Sequence, residues 1–473
     1  MNTEPSDVPR LSRANHGRPA APVRIVHLGV GNFTRAHQAW YTEHAPDADD
    51  WGIAAFTGRR PDTAEALAPQ DGLYTLITRQ ADGDEFEVIS SLSAVHAADD
   101  SEAFLGYLRA PETAVITTTV TEAGYMRGPD GHLDADDEHV RADVEALKAD
   151  PSATTRTTPG KVVGGFLARR EAGAGAITVL PCDNLPENGP AFRTVVVDLA
   201  ELVDPALVGW MDDNVAWATS MVDRITPATT DAERGAVAES QGYDDASPVP
   251  TEPFSEWVVA GDFPAGRPSW EESGVTIVDD VEPFEQRKLW MLNGSHSLMA
   301  YAATIVGHET VADAIADPTV RRWVEAWWDV AGPHLSVPQD DVAAYRAALL
   351  ERYFNARVRH LLAQIAADGS QKIPVRILPA LRLERAAGRL PDGPVRALAA
   401  WILHLQGHGA PVKDARESDV VAAAQGTVAE ATEKLLTTFG ADLLPDDELV
   451  AAVVARSEEI LAHEGTAKAR PGH

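Results

Sequence analysis

Residues 288–301 read KLWMLNGSHSLMAY. Lys288, Asn293 and His296 stand there among Leu, Trp, Met and small residues. Burying such polar groups without partners is costly. Lysine is also scarce, seven of the 40 Lys and Arg. On a helix turning ~100° per residue, with Lys288 at zero, His296 falls near ~80° and Asn293 near ~140°. One arc then holds all three, and a polar arc on a buried helix must meet partners, water or a ligand. Singly, each also reads as a snorkelling lysine or a satisfied core histidine. Together, at an expected domain boundary, they read as a site. Its chemistry is proton transfer. A desolvated lysine acts as a base near neutral pH, and an asparagine amide donates to an oxygen gaining negative charge.

Two further clusters can complete such a site. LPCDNLPENG (180–189) follows the apolar run AITV and puts Asp183 and Asn184 at a strand's carboxyl end, where open α/β sheets bind ligands. MVDRITPAT (221–229) places Asp223 and Arg224 between apolar residues. A local salt bridge or Asx turn is the competing reading for Asp223.

A third pattern points to a dinucleotide. Gly29-Val30-Gly31-Asn32-Phe33-Thr34 follows a β-branched run and precedes an amphipathic one. The first glycine permits the tight turn, the second a close approach of backbone to pyrophosphate, and the helix N-terminus adds amide donors. Thr34 occupies the third glycine's place. Arg35 pairs with a phosphate or caps the surface. After the second expected strand comes FTGRRPD, with Arg59, Arg60 and then Asp62. An acidic residue there selects NAD and an arginine tolerates NADP, so NAD is expected with NADP left open.

The elements that position these residues follow from pattern. VRIVHL, WGIAAFTG, AVITTTVT and AITVLP read as buried strands alternating with helical stretches, and 74–95 as a hairpin about Asp82-Gly83. Beyond 282 the pattern is helical. The expected fold class is α/β: a Rossmann-like dinucleotide-binding domain over 23–281, then a mainly α-helical domain over 282–465. Residues 1–22 read as a disordered or loosely packed extension and 466–473 as a tail. Residues 288–301 are expected to open the second domain as its first helix.

Composition sets limits. Forty basic against 72 acidic residues give a formal charge of −32. That disfavours nucleic acid and anionic membrane as partners. One cysteine, Cys182, forbids an intrachain disulfide and argues against a thiolate zinc site. No apolar run is long enough to span a bilayer and the first residues lack a signal-peptide core, so a cytoplasmic enzyme is expected. None of the eight tyrosines has a lysine four positions on, which excludes the short-chain dehydrogenase signature.

RIVHLGVGNFTRAHQAWY, TVTEAGY, LPCDNLPENG, MVDRITPAT, the Lys-x4-Asn-x2-His of KLWMLNGSHS and DGSQKIP (368–374) occur in this order. The chain thereby resembles the long-chain polyol dehydrogenases, the mannitol 2-dehydrogenase family. The resemblance implies metal-independent, NAD(P)-dependent hydride transfer between a sugar alcohol and a ketose, mannitol and fructose first. It also admits a hexuronate (fructuronate or tagaturonate) reductase, an arabinitol dehydrogenase or a mannitol-1-phosphate 5-dehydrogenase. A dinucleotide or sugar sensor that lost turnover is the non-enzymatic alternative. By the same resemblance Lys288 takes the hydroxyl proton, Asn184 and Asn293 hold the developing alkoxide, and His296 orients the substrate oxygen. Lys372, Arg376 and Asp223 are implied substrate-binding residues, and Glu285, one turn before Lys288, is a proton relay or a surface salt-bridge partner. The cofactor would lie on Gly29, Val30, Gly31, Asn32, Phe33 and Arg35. The expected partner is a small polyol or ketose, and the expected assembly a monomer or small homo-oligomer.

Overall fold

A computed structural model describes residues 8–440, 443 and 445–467. They form two compact units that divide after Glu282.

The first unit is built on a six-stranded sheet. Its strands, with the two small sheets beside it, are β1 (Val23–Leu28), β2 (Gly52–Phe56), β3 (Tyr74–Arg79), β4 (Asp84–Ile89), β5 (Leu92–His96), β6 (Val115–Thr118), β7 (Ile177–Pro181), β8 (Val215–Trp217), β9 (Thr219–Asp223), β10 (Val249–Thr251), β11 (Glu256–Ala260) and β12 (Thr276–Val278). The large sheet has the order β5-β2-β1-β6-β7-β8, and its neighbouring strands pair in parallel. This is the doubly wound dinucleotide-binding order, with β1 and β6 at the point where the order reverses. Alternate residues of each strand feed the two faces. Val26, Leu28, Phe56, Ile116 and Val179 pack on helix residues Leu108, Phe166 and Val196. Ile25, Ile53, Val115 and Leu180 pack on Tyr41, Trp51, Tyr74 and Trp257. Burial on both faces explains the unbroken apolar runs of these strands. The expected hairpin is β3–β4. The Pro- and Asp-rich region after 244 adds β10 to that hairpin and places β11 between β9 and β12.

The expectation of a loose extension does not hold over 8–22. Leu11 is fully buried. The Arg13 guanidinium donates to the carbonyls of Ser90 and Leu92, each at 2.8 Å. One apolar anchor and one multiply bonded cation suffice to fasten a segment with no regular structure. Residues 1–7 lie outside the described residues. At the other end, the expected tail begins as packed chain. Ala467 is buried and its N–H donates to the Val306 carbonyl at 3.1 Å. Residues 468–473 lie outside the description.

The second unit is helical. Its centre is the helix Ser295–Val306, buried almost all round, against the equally buried helix Asp392–Leu405. A helix apolar on every side belongs inside a bundle. The stretch that opens this unit is not one α-helix. Glu282–Arg287 is α-helical, Lys288–Gly294 is a π-helical turn, and α-helix resumes at Ser295. The run 342–366 is also broken: its helix ends at Phe354 and the next begins at Leu362.

Candidate functional site

In the first unit a cleft of about 820 Å³ opens at the carboxyl ends of β1, β2 and β6. Gly29, Val30, Thr57–Arg60 and Thr119–Thr121 line it, with Lys161 from a helix beyond. Gly29 has φ +98°, and a Cβ there would stand 2.3 Å from the Thr119 carbonyl oxygen. Only glycine turns the chain here. A Cβ on Gly31 would meet nothing nearer than 3.9 Å, so this glycine keeps open space beside the turn. That is the space a pyrophosphate needs, and the residues present fit a dinucleotide. Thr34, at the missing third glycine, bonds to buried His27 Nε2 at 2.8 Å and ties the Asn32–Ala36 helix down by its hydroxyl. Burial pushes His27 down to about 3, so this ring stays neutral.

Arg35 requires a correction. Its guanidinium is buried and donates to the Gly31 carbonyl at 3.2 Å, to Ser247 Oγ at 3.0 Å and to Asn32 Oδ1 at 2.8 Å, beside the Tyr74 ring. It neither faces a phosphate nor caps the surface. Instead it braces the turn from behind. The Asn32 side chain is likewise committed, donating to the Pro227 carbonyl at 2.9 Å. The Asn32 side chain is thus engaged within the first unit.

Asp183 and Asn184 follow β7. Asp183 is buried and accepts from Thr118 Oγ1 at 2.7 Å, Tyr125 OH at 2.8 Å and the Val120 amide. Burial nonetheless raises it to about 6. It pins the loop after β6 that lines the cleft. Asn184 is exposed at the strand end. The second half of the CDN-x3-NG motif is architectural: Asn188 bonds Ser220 through both its atoms, at 2.7 and 3.1 Å, and a Cβ on Gly189 would strike the Ala218 carbonyl at 2.4 Å. Asp223 ends β9, buried and opposite Glu256. Arg224 is buried, donates to the Glu252 carbonyl at 3.2 Å and lies over Trp40, so its role is to hold the chain together.

In the second unit the π-turn revises the helical-wheel geometry. A π-helix bonds i to i+5 and holds more residues per turn than an α-helix, so Asn293 lies nearer to the line above Lys288 than on an α-helix. His296 then follows at i+3, one α-turn further. The spacing five-then-three therefore narrows the arc over which the three groups spread, relative to an α-helix. Buried carbonyls of this turn also receive side-chain donors. Trp327 Nε1 donates to the Trp290 carbonyl at 2.8 Å and Trp328 Nε1 to that of Met291 at 2.9 Å. Ser295 Oγ and Tyr353 OH donate to that of Leu292 at 3.1 and 3.3 Å. A Cβ on Gly294 would stand 2.8 Å from the Trp327 ring, which explains the glycine of LNGSHS.

Lys288 and Asn293 are half-buried and His296 buried. His296 packs on Tyr353 and edge-on to His360, both with ring centroids 5.0 Å away. Its Nε2 has no hydrogen-bond partner among the described residues. Burial first, then His360, Arg352 and Arg376, hold it well below the ordinary histidine range, so the imidazole is neutral. His360 is a neighbour that periodicity could not find, because it sits in the break after Phe354, inside a run that reads as helix. Arg376 reaches this face, donating to Ser297 Oγ at 3.2 Å and the Asn293 carbonyl at 3.4 Å. Burial lowers it to about 10. Lys372, one turn before it, spends its ammonium on the Ile365 and Ala367 carbonyls. Glu285 precedes Lys288 by one turn, half-buried. Among the described residues no three His, Cys, Asp or Glu side chains gather to hold a metal ion, and no helix is long and apolar enough to cross a membrane.

Comparison with known proteins agrees with both units. The mannitol dehydrogenase Rossmann domain matches residues 23–272 and the mannitol dehydrogenase C-terminal domain residues 280–461. The D-mannonate oxidoreductase of Escherichia coli is 39% identical over 81% of this chain and 80% of its own. The mannitol 2-dehydrogenase of Cereibacter sphaeroides is 36% identical over 83% and 82%. Among solved structures, Pseudomonas fluorescens mannitol 2-dehydrogenase in ternary complex with NAD and D-mannitol superposes with a TM-score of 0.77 at 32% identity, covering 98% of this chain and 96% of that one. A substrate-free D-sorbitol dehydrogenase gives 0.87 at 30% identity, covering 99% and 98%. The chain belongs to the mannitol dehydrogenase family of oxidoreductases.

Proposed function

We propose that the protein is a metal-independent dehydrogenase that uses a nicotinamide dinucleotide to interconvert a sugar alcohol and its ketose, the mannitol/fructose pair first. The observation that carries this reading is the Lys288–Asn293–His296 face, with a buried imidazole nitrogen that has no hydrogen-bond partner among the described residues. The Pseudomonas fluorescens relative, which binds NAD and D-mannitol, supports it. The dinucleotide, held on Gly29, Val30, Gly31 and the backbone of Asn32 and Phe33, supplies hydride acceptance.

Lys288 takes the hydroxyl proton as the carbon is oxidised. The Asn293 amide donates to the oxygen while it carries negative charge, and Asn184 is the second proposed donor. Neutral His296 orients that oxygen through Nε2. Asp223 and Arg376 bind further hydroxyls of the substrate.

A second reading concerns the substrate. No carboxylate of the described residues lies within ion-pair distance of Arg376, although it is half-buried. A half-buried arginine with no carboxylate partner suits a substrate carboxylate, and the Escherichia coli relative is named for mannonate. The same machinery would then serve a sugar acid.

The test is absorbance of reduced nicotinamide in both directions, with mannitol, arabinitol, sorbitol, fructose, mannonate and fructuronate. Turnover of a free polyol or ketose, unchanged by a chelator, supports the first reading. Turnover confined to the sugar acids, with Arg376→Gln raising their KM, supports the second. Dinucleotide binding without any turnover would replace both with a sensor.

A further inference from the structure

The cleft of the first unit is lined by Arg59, Arg60, His139, Arg156 and Lys161 and by no carboxylate, in a chain of formal charge −32. Three of these lie away from the strand that reads the ribose. Lys161 donates to the Ala98 carbonyl, His139 and Arg156 come from later segments, and only Arg59 and Arg60 follow β2 directly.

In this sheet order the carboxyl end of β2 is where the adenosine ribose is read. A carboxylate there would accept from the two ribose hydroxyls and repel a 2′-phosphate. None is present. Thr57 is buried, with Oγ1 accepting from the Ala98 amide at 2.9 Å. Gly58 has nothing within 4 Å of a built Cβ. The first acid is Asp62, which lies 3.6 Å from Arg60, does not line the cleft and begins the helix Asp62–Leu67. Arg59 has no ion-pair partner among the described residues. Nor does the pyrophosphate compete for these two cations, because it is served by the glycine turn, and Arg35 is turned away behind it.

We infer that Arg59 and Arg60 form a phosphate subsite on the adenosine side of the cleft, so that a 2′-phosphorylated dinucleotide binds in preference to the unphosphorylated one. The inference rests on the dinucleotide reading of the cleft. A dianionic phosphate matches two guanidinium forks, which donate in pairs. Arg60 exchanges a solvent-exposed pairing with Asp62, itself of little worth, for that contact.

Equilibrium binding of adenosine 2′,5′-bisphosphate and of 5′-AMP to the full chain tests this without turnover. The bisphosphate is expected to bind about ten- to a hundredfold more tightly, as charge-assisted bonds to phosphate are worth. The advantage should shrink as salt rises. Arg59→Ala with Arg60→Ala should abolish it and leave 5′-AMP affinity within about twofold, since the adenine and 5′-phosphate contacts are untouched. The NADPH to NADH ratio of kcat/KM should fall in parallel. Equal binding of the two nucleotides, or an advantage that survives in the double variant, overturns the subsite alone. Failure of the folded chain to bind either one overturns the dinucleotide reading and the subsite with it.

Discussion

Tyr125 donates its phenolic proton to Asp183 over 2.8 Å, and this contact fastens the loop after β6 to the end of β7. Asp183 is raised to about 6, burial outweighing its three donors. An unfolded aspartate titrates near ~3.9. Between roughly pH 4 and 6 the folded chain therefore holds a proton that the unfolded chain has released. This contribution to stability is fully present below about pH 4 and lost as pH rises through about 6. Asp183→Asn, neutral throughout, should remove that slope. Denaturation midpoints of both proteins at pH 4, 5, 6 and 7 measure it, and parallel profiles would contradict the assignment.

Lys288→Ala should lower kcat/KM by about 10²- to 10⁴-fold, the range for removal of a general base. Dinucleotide affinity, set by the first unit's cleft, should stay within about twofold. Near-normal kcat from pH 6 to 10 would remove Lys288 as the base.

The indoles of Trp327 and Trp328 hold the π-turn by its carbonyls. Trp328→Phe removes one donor from the Met291 carbonyl, which keeps Ser295 as a partner, at a cost of about 0.5–1.5 kcal/mol. If the turn aligns Lys288 with Asn293, kcat should fall further than the stability loss alone would cause, at temperatures where the variant is fully folded. A variant with lowered Tm and unchanged kcat would separate the turn from catalysis.

Gly29→Ala and Gly31→Ala should part company. Gly29 has a left-handed φ and its new Cβ would press on the Thr119 carbonyl, so the variant should lose roughly 2 kcal/mol or more of stability. Gly31→Ala meets no protein atom closer than 3.9 Å. It should fold normally and raise the KM for the dinucleotide. Equal stabilities for the two variants would show that Gly29 relaxes to accept a side chain.

The alternation of apolar runs with helical stretches, the glycine turn and the scarcity of lysine made the two fold classes and the polar face legible in the sequence. These are local signals: a strand buried on both faces must be apolar throughout, and a polar group on a buried helix must be explained. Arg35 was not legible. A sequence cannot tell a guanidinium facing a ligand from one bonded to Ser247, 212 residues away, because that choice belongs to the packing of distant segments. His360 was hidden for a related reason, since a helical pattern does not reveal where a helix breaks. The π-turn is the sharpest case. A wheel of 100° spread Lys288, Asn293 and His296 over an arc, whereas the fold supplies indole and hydroxyl donors from other helices that make a wider turn affordable. The sequence determined which polar groups would share one apolar stretch. Tertiary hydrogen bonds to the backbone decided how they line up.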